Sequence, residues 1–145
     1  MKQTTFSTKI GRFILFSNII LFVMLLVLYG VKGFTEEEFA ELLRYLIPIK
    51  SIYLTAIVKF IIDQKANPLP KQDIIELQPF YKQVTRAFIY THIAILYSLV
   101  FFSAFNLIPF NFMINAIVVL ESIFGIYIGM IVNDIFKNAV TNTNT

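Results

Sequence analysis

The chain has 145 residues, 57% of them hydrophobic and only 14% charged, with a mean hydropathy of +0.73 and a formal net charge of +3. Soluble domains carry about 25% charged residues, so this composition excludes an ordinary soluble domain and fits an integral membrane protein, whose outer face needs no polar cover. The absence of cysteine excludes a disulfide framework, thiolate metal sites and a cysteine nucleophile, and the dispersed basic residues form no aromatic–basic platform for nucleic acid.

A hydrocarbon core of ~30 Å takes roughly 20 apolar residues as a helix. The first candidate covers residues 13–31, "FILFSNIILFVMLLVLYGV", with Lys2, Lys9 and Arg12 before it. Its apolar run exceeds the ~7–15 residues of a signal-peptide core. "LYGVKG" also offers no small-x-small cleavage site, because Leu28 stands two residues before Gly30. A retained first span is expected.

Residues 36–46 follow as a short amphipathic helix lying in the membrane interface. Thr35 and Glu38 have the spacing of a capping box, in which hydroxyl and carboxylate satisfy amides at a helix start. Glu36, Glu37 and Glu38 suit the positive end of the helix dipole, and their bland reading is a solvated face. Phe39, Leu42, Leu43 and Leu46 make its apolar stripe. Pro48 suits the first turn of a new helix, so a second, short span is expected over residues 47–62, with a re-entrant segment as the alternative.

Residues 63–86 form the longest polar stretch, broken by Asn67, Pro68 and Pro70. Lys65, Lys71, Lys82 and Arg86 make it basic, suited to anionic headgroups or a cytoplasmic protein partner. Pro79 can open a helix that continues into the third span, residues 87–108. The fourth span is 112–136, and the uncharged "NLIPFN" between them implies a tight antiparallel hairpin. The fold expected is all-α: one polytopic membrane domain of four transmembrane helices plus the interfacial helix.

Four spans put both termini and the 63–86 loop on one side. That side holds Lys2, Lys9, Arg12, Lys65, Lys71, Lys82, Arg86 and Lys137, and the other holds Lys32 and Arg44. The positive-inside rule then places the termini in the cytoplasm of a cell bounded by a plasma (bacterial inner) membrane.

Glu121 lies near the middle of the fourth span, where a charge costs roughly 2.5–3.5 kcal/mol on insertion scales. It can be protonated, paired with a basic side chain, or set beside a hydrated path. Lys59 and Lys50 are the candidate counter-charges. They lie nine residues apart and point to nearly opposite sides of a helix, so both cannot face one partner. Lys59 is the favoured one, and both can instead snorkel to headgroups. His92 is placed about 8–9 Å cytoplasmic of its span centre, as a packing residue or a proton relay to Glu121. With one histidine and no cysteine, no metal site follows, and no cofactor is implied.

Gly125 and Gly129 make a GxxxG step with Glu121 one turn before and Asn133 one turn after. A groove of this kind lets a helix approach closely, within the chain or from another copy; Asn115 and Ser122 flank it. No Ser–His–Asp set, HExxH or phosphate-cradling loop is present, so the chain is expected not to be an enzyme. The expected function is a homo-oligomeric ion-conducting or ion-gating protein. A small proton-coupled transporter and a non-conducting anchor or signalling subunit, such as those of bacterial defence systems, are the alternatives. In its short four-span architecture and lone membrane carboxylate, the chain is similar to small multidrug resistance transporters. It departs from them in carrying only Ser17 and Asn18 in the first span, where theirs holds the acid, and in its long 63–86 loop.

Overall fold

The computed structural model describes residues 3–66 and 79–141, and every regular element among them is helical. The four helices are α1 (Gln3–Gly30), α2 (Glu36–Ala66), α3 (Pro79–Ala104) and α4 (Phe110–Thr141). They form a four-helix bundle in which α1 packs on α2 and α3, and α4 packs on α2 and α3. Three segments are long and apolar enough to cross a membrane: Lys9–Gly30, Lys82–Ala104 and Phe110–Met130. Their outer faces carry large exposed apolar side chains, among them Phe16, Leu26, Phe112 and Ile126. Water would reject such a surface, and acyl chains accept it.

Two short turns close one end of the bundle, and both use the same device. Lys32, at φ 62°, lets its N–H reach the Tyr29 carbonyl while the Gly33 N–H reaches that of Leu28. Asn106, at φ 58°, does the same with Ser103, and the Leu107 N–H bonds to Phe102. This pair of backward bonds through a left-handed residue satisfies carbonyls that a helix end leaves open. Gly33 sits at a close approach. A Cβ there would stand 3.0 Å from the Leu28 carbonyl oxygen and 3.1 Å from the Ala104 Cβ. The expected hairpin between residues 105 and 109 is present.

The largest departure from the sequence reading concerns α2. Residues 36–46 and 47–62 are not two elements, because one helix runs from Glu36 through Pro48 to Ala66. The capping box does start it: Glu38 accepts from the Thr35 N–H and hydroxyl, and the Glu38 N–H donates to Thr35 Oγ1. Pro48 cannot donate to the Arg44 carbonyl, a penalty that normally kinks or ends a helix. Here Pro48 is exposed, while Leu42, Leu46 and Lys50 on the inner face are buried. Burial on both sides of the proline carries the helix through. Pro79 opens α3 as expected, while α2 runs four residues into the polar stretch, to Ala66.

Two apolar clusters fill the interior. Beside the turns lie Leu21, Leu25, Leu28, Leu42, Leu46, Leu96, Val100, Met113 and Ile117 with their neighbours. Toward the other end lie Ile14, Ile57, Ile89, Phe124 and Ile128. A polar layer separates the two.

Candidate functional site

Each helix contributes to that layer: Asn18 from α1, with Ser17 beside it, Lys50 from α2, His92 from α3 and Glu121 from α4. Asn18, Lys50, His92 and Glu121 are at least 95% buried, and Glu121 is completely so. Counted from the turn end, Asn18 and His92 lie twelve residues from Gly30 and Ala104, Glu121 eleven from Phe110 and Lys50 fourteen from Glu36. At 1.5 Å per residue these positions lie ~16–21 Å from the turn end, a little over half of the ~30 Å that a hydrocarbon core spans.

The Lys50 ammonium donates to Glu121 Oε1 at 2.6 Å. His92 Nε2 stands 3.3 Å from the same oxygen. That is ion-pair distance without hydrogen-bond alignment, since neither ring nitrogen of His92 has a hydrogen-bond partner. Phe124 stacks on the imidazole with ring centroids 3.8 Å apart and planes inclined by 14°. On the other side of the layer, Asn18 donates through Nδ2 to the Ile14 carbonyl, and its Oδ1 has no partner. The Tyr97 hydroxyl donates to the Ser17 carbonyl at 2.6 Å, tying α3 to α1 just beside the layer.

A cavity of about 10 Å³ opens among these groups, lined by Ser17, Asn18, Lys50, His92, Tyr97 and Phe124 with apolar neighbours. Two turns from His92, the Tyr127 hydroxyl meets Thr85 Oγ1 at 3.0 Å, with Thr85 buried. Phe88 lies parallel to Phe124 and tilted against Tyr127, so aromatic rings stand between the layer and the Tyr127–Thr85 pair.

Glu121 is therefore sheltered inside the bundle, but the favoured partner was misjudged. Lys50, not Lys59, meets the carboxylate, and Lys59 is exposed. The reason is the uninterrupted α2. A span starting at residue 47 puts Lys50 near its edge, whereas a helix starting at Glu36 puts Lys50 at its middle. His92 likewise moves to mid-depth because α3 ends at Ala104 rather than 108.

Of the two partners expected for the glycine step, a helix of this chain and a second copy, the first is not found among the described residues. A Cβ on Gly125 or Gly129 would meet nothing within 4 Å, so among the described residues no helix closes on them. Each four-residue step turns a helix about 40° past a full turn. Gly129 is thus rotated by roughly 80° from Glu121, and it is exposed while Glu121 is buried. Ser122 is exposed and donates to its own Val118 carbonyl, and Asn115 is exposed too. Of the basic loop residues, Lys65 falls in the last turn of α2 and Lys82 and Arg86 in the first turns of α3, while Lys71 lies outside the described residues.

Asn18 is the member that sequence reasoning passed over. Its signal was available: a lone amide inside an apolar run, at the middle of the span. Among the described residues no group of three His, Asp or Glu could hold a metal ion. No family model matches this chain, and no curated protein or solved structure matches it either. The class that the fold defines is a helical membrane-embedded protein with at least three candidate spans.

Proposed function

We propose that the chain is a four-span, non-enzymatic protein of the plasma (inner) membrane that carries or gates protons through the polar layer inside each bundle. It works as a homo-oligomer, with both termini on the cytoplasmic side. The observation that carries this reading is the convergence of Asn18, Lys50, His92 and Glu121, one from each helix, at one depth. Ionisable groups are costly at that depth. A buried ion pair rarely stabilises a fold more than apolar side chains of similar size would, so packing alone gives little reason to keep it.

Several features support the details. At 31 residues α2 is ~46 Å long, it packs on α1 and α4, and its middle carries Lys50, features that favour α2 as the fourth crossing. Basic residues outnumber those at the turn end by eight to two, which directs the termini inward. The open Gly125 and Gly129 suit contact with a second copy. The proton is favoured over larger ions because the cavity of about 10 Å³ admits about one water, whose minimum requirement is ~10–15 Å³. The apolar cluster beside the turns closes the outer half, so conduction requires that cluster to part.

The test is proton flux into proteoliposomes under an imposed potential, comparing wild type with Glu121→Gln. Wild-type flux that falls to background in Glu121→Gln supports the reading, and flux that is unchanged removes Glu121 from the path. The compact apolar half favours one other reading, a non-conducting anchor, and absence of flux in the wild type would select it.

A further inference from the structure

We infer that the cavity between α1 and α3 is a binding site for one water molecule, which bridges Asn18 Oδ1 to the His92 ring nitrogen turned away from Glu121. Two buried side chains from different helices line this cavity, Asn18 at 5% and His92 at 3% exposure. Each brings a polar atom with no hydrogen-bond partner. Orphaned polar atoms at such burial are rare in folded proteins, and finding the two residues that carry them on the wall of one cavity points to a shared ligand.

Size and chemistry identify that ligand. The volume of about 10 Å³ is at the lower limit for a single water at ~10–15 Å³, and too small for a hydrated ion. A metal cation is disfavoured by the Lys50 ammonium on the same wall. Water has two protons to give, and the site offers two acceptors: the amide oxygen of Asn18 and the unprotonated nitrogen of a neutral imidazole. The oxygen of the water can accept from Lys50, which gives it the two to four partners that buried waters have.

The bridge has a consequence for His92. With Nδ1 accepting from the water, the proton of the neutral ring resides on Nε2, the nitrogen 3.3 Å from Glu121 Oε1. Asn18 is thus a positioning residue: acting through the water, it sets which tautomer faces the carboxylate. That role rests on the proton-carrying reading, whereas the water site itself does not.

The chain contains a single histidine, so histidine labelled with ¹⁵N reports His92 alone. In membranes of the labelled protein, proton-detected solid-state NMR should show a cross peak between a bound water and Nδ1, with the ring proton on Nε2. Asn18→Leu, which fills the cavity with methyl groups and removes the acceptor, should erase the water cross peak. A wild-type spectrum without that cross peak overturns the site, as does its survival in Asn18→Leu. Should Asn18→Leu fail to fold, the wild-type spectrum decides alone. Because this signal does not depend on transport, a protein that holds the water but shows no proton flux would refute the proton-carrying reading and leave the water site standing.

Discussion

The two ends of the bundle are packed by different chemistry. Beside the turns, leucines from α1 and α2 interlock with Leu96, Val100, Met113 and Ile117, and that cluster is apolar throughout. Among the described residues the buried cluster toward the termini is smaller, and aromatic rings share the space with hydroxyls: Phe88 lies against Tyr127, whose hydroxyl meets Thr85. The charged layer sits at the boundary. One half is built to exclude water, while the other presents polar groups that can approach the layer in steps. From the terminal end, aromatic rings and hydroxyls lead toward Glu121; from the turn end, polar groups stop at Ser103 and Asn106, and the apolar cluster lies between them and the layer.

Substitutions in each half should therefore behave differently. The largest effect is expected in the turn-end cluster, where Leu46 is completely buried. Leu46→Ala should lower stability by about 2–5 kcal/mol through lost contacts and the cavity left behind, measured by thermal unfolding in detergent. A loss well below that range would mean that this half is loosely packed and the contrast between the ends is false. A smaller effect belongs to the terminal end. Thr85→Val keeps the side-chain shape but deprives the Tyr127 hydroxyl of its partner, which should cost about 1 kcal/mol in the same assay. The smallest is Lys59→Gln. Lys59 is exposed on α2, and its replacement should change stability by no more than about 0.5 kcal/mol and leave proton flux unaltered. A large effect at Lys59 would restore it as a partner of the carboxylate.

The helical, membrane-embedded character was legible because it rests on composition and on long apolar runs, which no tertiary context reverses. The capping box at Thr35 and Glu38 and the turn at Asn106 were legible for the same reason, since both are local chemistry. Pro48 misled because its local penalty was outweighed by burial of Leu46 and Lys50 on either side, a tertiary effect. That one error propagated. It shortened α2, displaced Lys50 from the centre and moved the pairing to Lys59. The opposite directions of Lys50 and Lys59 were read correctly from their spacing, but which of them points inward depends on how α2 rolls against α1 and α4. Steps of four residues drift around the helix and carry Gly129 out of the face that buries Glu121, so spacing of one turn does not by itself put the glycines beside the carboxylate.

The most direct test of the central claim, that Lys50 and Glu121 are partners inside one chain, is a double-mutant cycle in thermal unfolding with Lys50→Met, Glu121→Leu and the two combined. Each single substitution strands a buried partner and should cost about 3–5 kcal/mol, whereas the combined variant should return close to wild-type stability. Losses that simply add in the combined variant would contradict the pairing.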